Sequence, residues 1–145
     1  MQRYRTHLVI LWFGFGGLIM MQTVWWAVSG NPFGDNMDKV WSWLLPNILP
    51  TFSLILGSLV LDPDSTGKPT RGLSLLYGLA LGLSAAYLLS LLLVLYVPFL
   101  SGSDIWQVMK GSNMWLAPFQ GLVASVLGVF FAGGGKLRGA ASPTG

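Results

Sequence analysis

Apolar residues in this chain run in four long blocks and do not alternate with polar ones. The blocks are 7–28, 44–61, 73–97 and about 113–132. A strand of a membrane barrel shows period-two alternation, which is missing here, and the blocks are too long for strands. Each is near or above the roughly 17 to 25 residues a helix needs to cross a bilayer core. None contains Asp, Glu, Lys or Arg. Ionised groups at a helix centre cost about 2.5 to 3.5 kcal/mol each on insertion scales, so their absence fits lipid-spanning helices. The pattern predicts an all-α, polytopic integral membrane four-helix bundle. Residues 1–138 form its single transmembrane domain, and 139–145 form a flexible cytoplasmic tail.

Punctuation between the blocks agrees with this reading. Gly30-Asn31-Pro32 stops the first helix, because proline cannot continue the hydrogen-bond ladder. The segment Asp62 to Pro69 separates the second and third helices, Pro98 and Ser101-Gly102-Ser103 end the third, and Gly133-Gly134-Gly135 ends the fourth. Two outer loops carry weak helical periodicity. Asn36 to Trp43 reads as a short surface helix that bends into the second span. Ser103 to Met109 reads as another, capped by Ser103 or Asp104. Arg3, Arg5 and His7 precede an apolar run as in a signal peptide. That run exceeds the usual h-region of about 7 to 15 residues, so the segment is retained as a helix.

Composition sharpens the picture. Only 9% of the 145 residues are charged and 53% are hydrophobic. Soluble domains carry about 25% charged residues. The net charge of +3 comes from scattered Lys and Arg. No basic patch is formed, which argues against nucleic acid as a partner. Cysteine is absent, which removes disulfides, thiolate metal sites and cysteine nucleophiles.

The basic residues also orient the chain. Arg3, Arg5, Lys68, Arg71, Lys136 and Arg138 share one side of a four-span arrangement, and Lys39 and Lys110 lie on the other. The positive-inside rule then places both termini in the cytoplasm. Trp25, Trp26, Trp41, Trp43, Trp106 and Trp115 map to the outer side, and Trp12 lies towards the inner side. The outer group suits interfacial anchoring, or a packed cap or partner surface. The compact, charge-biased chain suggests a bacterial plasma (inner) membrane.

Candidate functional residues lie on the helix faces. Pro46 and Pro50 predict a kink in the second helix and free backbone carbonyls that need other partners. Asn47 and Thr51 are near enough to supply them. Gln120 is the strongest polar group inside the fourth block, and a lone Gln in lipid is expensive unless paired. Gln22, Asn47, Thr51 and Gln120 are therefore read as a polar intramembrane cluster in the outer half. Gly78, Gly82 and Ala86 form a small-residue ridge that permits close helix approach. On the fourth helix Ala117, Gly121 and Ser125 share one face, and Ala124, Gly128 and Ala132 form a second small-residue ridge. The first reading of these ridges is an internal packing seam, and the second is a subunit contact. Gly16 and Gly17 mark a bend or a close approach in the first helix.

Nothing in the sequence signals catalysis. His7 is the single histidine, the serines lack a nucleophile context, and Asp62 and Asp64 alone make a poor cation site. The chain is expected to hold no metal or cofactor and not to be an enzyme. The expected function is a non-catalytic membrane module, a subunit or accessory protein acting through helix–helix packing. Its partners would be the lipid bilayer, further copies of itself or a larger membrane protein. The alternative is a small oligomeric channel or transporter lined by the polar residues of spans 1, 2 and 4.

Overall fold

Nearly every described residue is helical and none lies in a strand. The structure is a computed structural model that describes residues 2–30, 33–61 and 71–132. The expected inner loop, the Gly133–Gly135 stop and the tail lie outside these residues, as do Asn31 and Pro32.

The first rod is built from α1 (Gln2–Ile10), a π-helical turn (Leu11–Gly16) and α2 (Gly17–Ser29). It ends at Gly30, whose φ of 120° is open to glycine and strained for other residues. A 3-10 turn at Gly34–Asn36 leads into α3 (Met37–Leu61). The long helices α4 (Arg71–Ser101) and α5 (Ile105–Ala132) complete the bundle. The structure thus contains four helical rods long and apolar enough to cross a membrane.

Three expected boundaries move. Asn36 to Trp43 does not form a separate surface helix, because α3 runs unbroken from Met37 through both prolines. Pro46 therefore lies inside the helix. Pro98 does not end its helix; α4 continues one turn to Ser101. Gly102 closes it with φ 65° and an N–H donated to the Pro98 carbonyl at 2.9 Å, the left-handed stop that glycine provides. Ser103 to Met109 is no separate element either. Asp104 caps α5 itself by accepting the Trp106 N–H at 3.0 Å, and Pro118 falls inside that helix. The common cause is that apolarity marks which residues avoid water, while a helix extends until its backbone is capped.

Ring contacts give the register. Tyr77 meets Phe130 and Tyr87 meets Phe119, so α4 and α5 run antiparallel. His7 meets Tyr77 and Trp26 meets Tyr96, so the first rod runs parallel to α4. The first rod packs on α4 and α3, and α5 packs on α4 and α3. Between them Leu8, Trp12, Ile48, Tyr87, Leu91 and Leu116 are fully buried. Near the N-terminus of the first rod Arg5 crosses to α5. Its Nη2 donates to the Phe131 carbonyl at 3.0 Å, and its guanidinium lies 5.5 Å from the Phe131 ring centroid. A cation there complements the negative end of the α5 dipole.

Candidate functional site

Pro50 lacks an N–H, so the Pro46 carbonyl four residues earlier has no partner within α3. Gln120 on α5 supplies one. Its Nε2 donates to the Pro46 carbonyl at 3.1 Å and to the Asn47 carbonyl at 3.2 Å. The Asn47 side chain does not reach that carbonyl. Its Nδ2 instead donates to the Trp43 carbonyl at 2.7 Å. Tyr87 on α4 completes the group, its hydroxyl lying 3.0 Å from the Asn47 carbonyl oxygen and 3.1 Å from Asn47 Oδ1. Three helices therefore meet on one proline-disturbed turn of α3. The groups are amides and a phenol, with no ionised side chain among them. Asn47 and Tyr87 are buried, and Gln120 is half-buried at the seam between α3 and α5.

The other two residues of the expected cluster are placed differently. Gln22 is half-buried on α2 and makes no hydrogen bond to Asn47 or Gln120. The first rod approaches α4 and α3 mainly through α1 and the π-helical turn, and Gln22 lies beyond that turn on α2. Thr51 is fully buried one turn from Asn47, yet its hydroxyl has no protein partner. Tyr87 was among several polar residues on an apolar helix, and its central role was not readable. A helix apolar all round has no polar face to show which side turns inwards.

This geometry predicts a specific coupling. Replacing Gln120 with Leu leaves the Pro46 carbonyl unpaired and should cost about 0.6 to 1.7 kcal/mol, the range for interhelical hydrogen bonds between membrane helices. Replacing Pro50 with Ala restores an N–H to that carbonyl. The cost of Gln120→Leu should then shrink in the Pro50→Ala background. Reversible unfolding in mixed micelles across the double-mutant cycle measures it, and strict additivity would show that the two residues do not share the carbonyl.

Above this layer, Trp43 Nε1 donates to Ser112 Oγ at 3.1 Å across the α3–α5 seam. Trp26, Phe33, Tyr96 and Phe99 form an aromatic cluster with ring centroids 5.0 to 6.2 Å apart. The tryptophan-rich end is thus partly a packed cap, although Trp25, Trp106 and Trp115 remain exposed. Trp12 is not at an end at all. It is fully buried in the core. Below the central layer, His7 Nδ1 lies 3.0 Å from the Tyr77 hydroxyl.

The Gly78–Gly82–Ala86 ridge and the Gly121–Ser125 face do not lie in an internal seam. Gly78, Gly82 and Ala86 on α4 are exposed, as are Gly121 and Ser125 on α5, and Gly128 is half-buried. A Cβ added at Gly78, Gly82, Gly121 or Gly128 would meet nothing within 4 Å. The inward face of α4 is taken by Ala80, Ser84, Tyr87, Leu88 and Leu91, and a ridge offset from them by helical geometry must point outwards. Gly16 behaves differently. A Cβ there would lie 3.0 Å from Phe52 Cε1, so its role is close approach of the first rod to α3.

Among the described residues no group of three or more His, Asp or Glu side chains is placed to hold a metal ion. Comparison with protein-family models, with curated proteins and with solved structures gives no match.

Proposed function

We propose that this chain is an integral membrane protein of four spans that acts, without catalysis, as a subunit or accessory module through helix–helix packing. The observation that carries the reading is the Gly78–Gly82–Ala86 ridge, exposed on α4 with open space over both glycines. Between helices in lipid, association rests on close van der Waals packing, and small residues permit it. Gly121 and Ser125, exposed on α5, offer a further face. The occupant of these faces would be another copy of the chain or a larger membrane protein.

Insertion itself is supported by the outer surface. Val60, Leu75, Leu100 and Met114 are 74% to 86% exposed, and water penalises such a surface while lipid does not. The bias of basic residues supports cytoplasmic termini, and a bacterial inner membrane is the setting we infer. Transport through one chain is disfavoured, because Trp12, Tyr87, Leu88 and Leu91 fill its centre.

Gly82→Leu tests the assignment. The added side chain enters open space, so unfolding of the isolated chain should change by less than about 0.5 kcal/mol, as for other surface substitutions. Association, read as native stoichiometry after extraction in mild detergent, should be lost. An unchanged complex, or a chain that is monomeric and unpartnered before substitution, would overturn the proposal.

A further inference from the structure

Among the described residues, the buried and half-buried serine and threonine hydroxyls follow a rule with two exceptions. Thr23, Ser58, Ser90 and Ser112 each donate to a carbonyl three or four residues earlier on their own helix. They are the other buried or half-buried serines and threonines among the described residues. Thr51 Oγ1 and Ser84 Oγ make no such bond and have no other protein partner. Trp12 Nε1 is likewise unpartnered. All three residues are 0% exposed.

The register brings these three groups into one layer. Gly16 faces both Phe52 and Leu88. Counting four residues back along the two parallel rods puts Trp12 level with Ser84, and the Trp12 ring lies 6.1 Å from that of Tyr87, one turn along from Ser84. The Trp12 ring packs edge-on to Phe52 at 6.3 Å, which sets it at the level of Thr51. Asn47 meets Tyr87, and one turn inwards on these two helices come Thr51 and Ser84. The π-helical turn, Leu11–Gly16, contains Trp12. Such turns often occur at functional positions.

An unpaired hydroxyl or indole N–H in an apolar interior costs about 1 to 3 kcal/mol. Three of them in one layer call for a shared partner. Trp12 can only donate, and each hydroxyl can donate and accept. A small guest that both accepts and donates satisfies the set. Water has this capacity and typically makes about three bonds when buried.

We propose that Trp12, Thr51 and Ser84 form an internal binding site for one or two water molecules, which accept from the indole N–H and bond both hydroxyls. The site extends the Asn47–Tyr87–Gln120 layer by one turn and is independent of what covers the outer ridges.

The test uses the full chain in lipid nanodiscs with 15N-indole tryptophan, the Trp12 resonance being assigned by its loss in Trp12→Phe. A rotating-frame Overhauser cross-peak between the Trp12 indole proton and water is expected. It should vanish in Thr51→Val/Ser84→Ala. No cross-peak in the unsubstituted protein would overturn the site and indicate direct pairing of the indole with a hydroxyl. A cross-peak that survives the double substitution would overturn it too. If the double variant does not fold, Ser84→Ala alone decides: a weaker cross-peak supports the site and an unchanged one rejects it.

Discussion

Replacing Trp12 with Ala should destabilise the bundle by about 3 to 5 kcal/mol, the usual cost of truncating a fully buried aromatic ring to a methyl group. The ring is 0% exposed and packs against residues of two other helices. It stands edge-on to Phe52 at 6.3 Å and tilted on Tyr87 at 6.1 Å. Truncation therefore opens a void where the first rod, α3 and α4 converge. Neighbouring side chains can relax into it only by giving up their own contacts. Trp12→Phe keeps most of the packing and should cost clearly less. Unfolding midpoints in mixed micelles distinguish the two, and a Trp12→Ala loss below about 1 kcal/mol would mean the core is not packed around this ring.

The second large effect is steric and concerns Gly16. A Cβ at this position would lie 3.0 and 3.1 Å from Phe52 Cε1 and Cζ, and 3.7 Å from Leu88 Cδ2. The Phe52 ring has little freedom to withdraw. Phe13 stacks on it with centroids 4.6 Å apart, and the Trp12 edge meets it as well. Alanine requires a shift of a few tenths of an ångström. Valine adds two further methyl groups and should cost about 1 to 3 kcal/mol, as overpacking does. Gly17 is the control. A Cβ there meets nothing within 4 Å, so Gly17→Ala should leave stability unchanged or raise it by up to about 1 kcal/mol through helix propensity. Phe52→Leu should restore part of the Gly16→Val loss. Equal effects at Gly16 and Gly17 would contradict the close approach of the first rod to α3.

These two predictions differ from the Gly82→Leu test in what they probe. Gly16 and Gly82 are both glycines on long apolar helices, and the sequence treats them alike. One touches a packed ring and the other faces open space. The same distinction separates Trp12, fully buried, from Trp25, which lies on the surface.

The number and helical nature of the long elements were legible because uninterrupted apolar runs of this length have few other folded forms. The need for a partner at Pro46 was legible too. It follows from the covalent structure of Pro50, which has no N–H to give in any fold. That Gln120 would seek a carbonyl follows from the cost of leaving an amide unpaired among apolar groups. Helix ends were less legible, as the unbroken course of α3 from Met37 and of α4 past Pro98 shows, because polar residues are tolerated where a helix leaves its apolar surroundings.

What the tertiary structure alone decided is which face of each helix turns inwards. On α4 the residues are apolar nearly all the way round, so neither Tyr87 and Ser84 nor Gly78 and Gly82 could be assigned to the core by periodicity. Packing placed the first pair inside and the second pair outside. It also joined Gln120 to Pro46 and Asn47 while leaving Gln22 outside that group. A chain rich in apolar residues specifies that its helices exist. The complementary shapes of a few side chains, among them Phe52 against Gly16 and Trp12 against Tyr87, specify how they face one another.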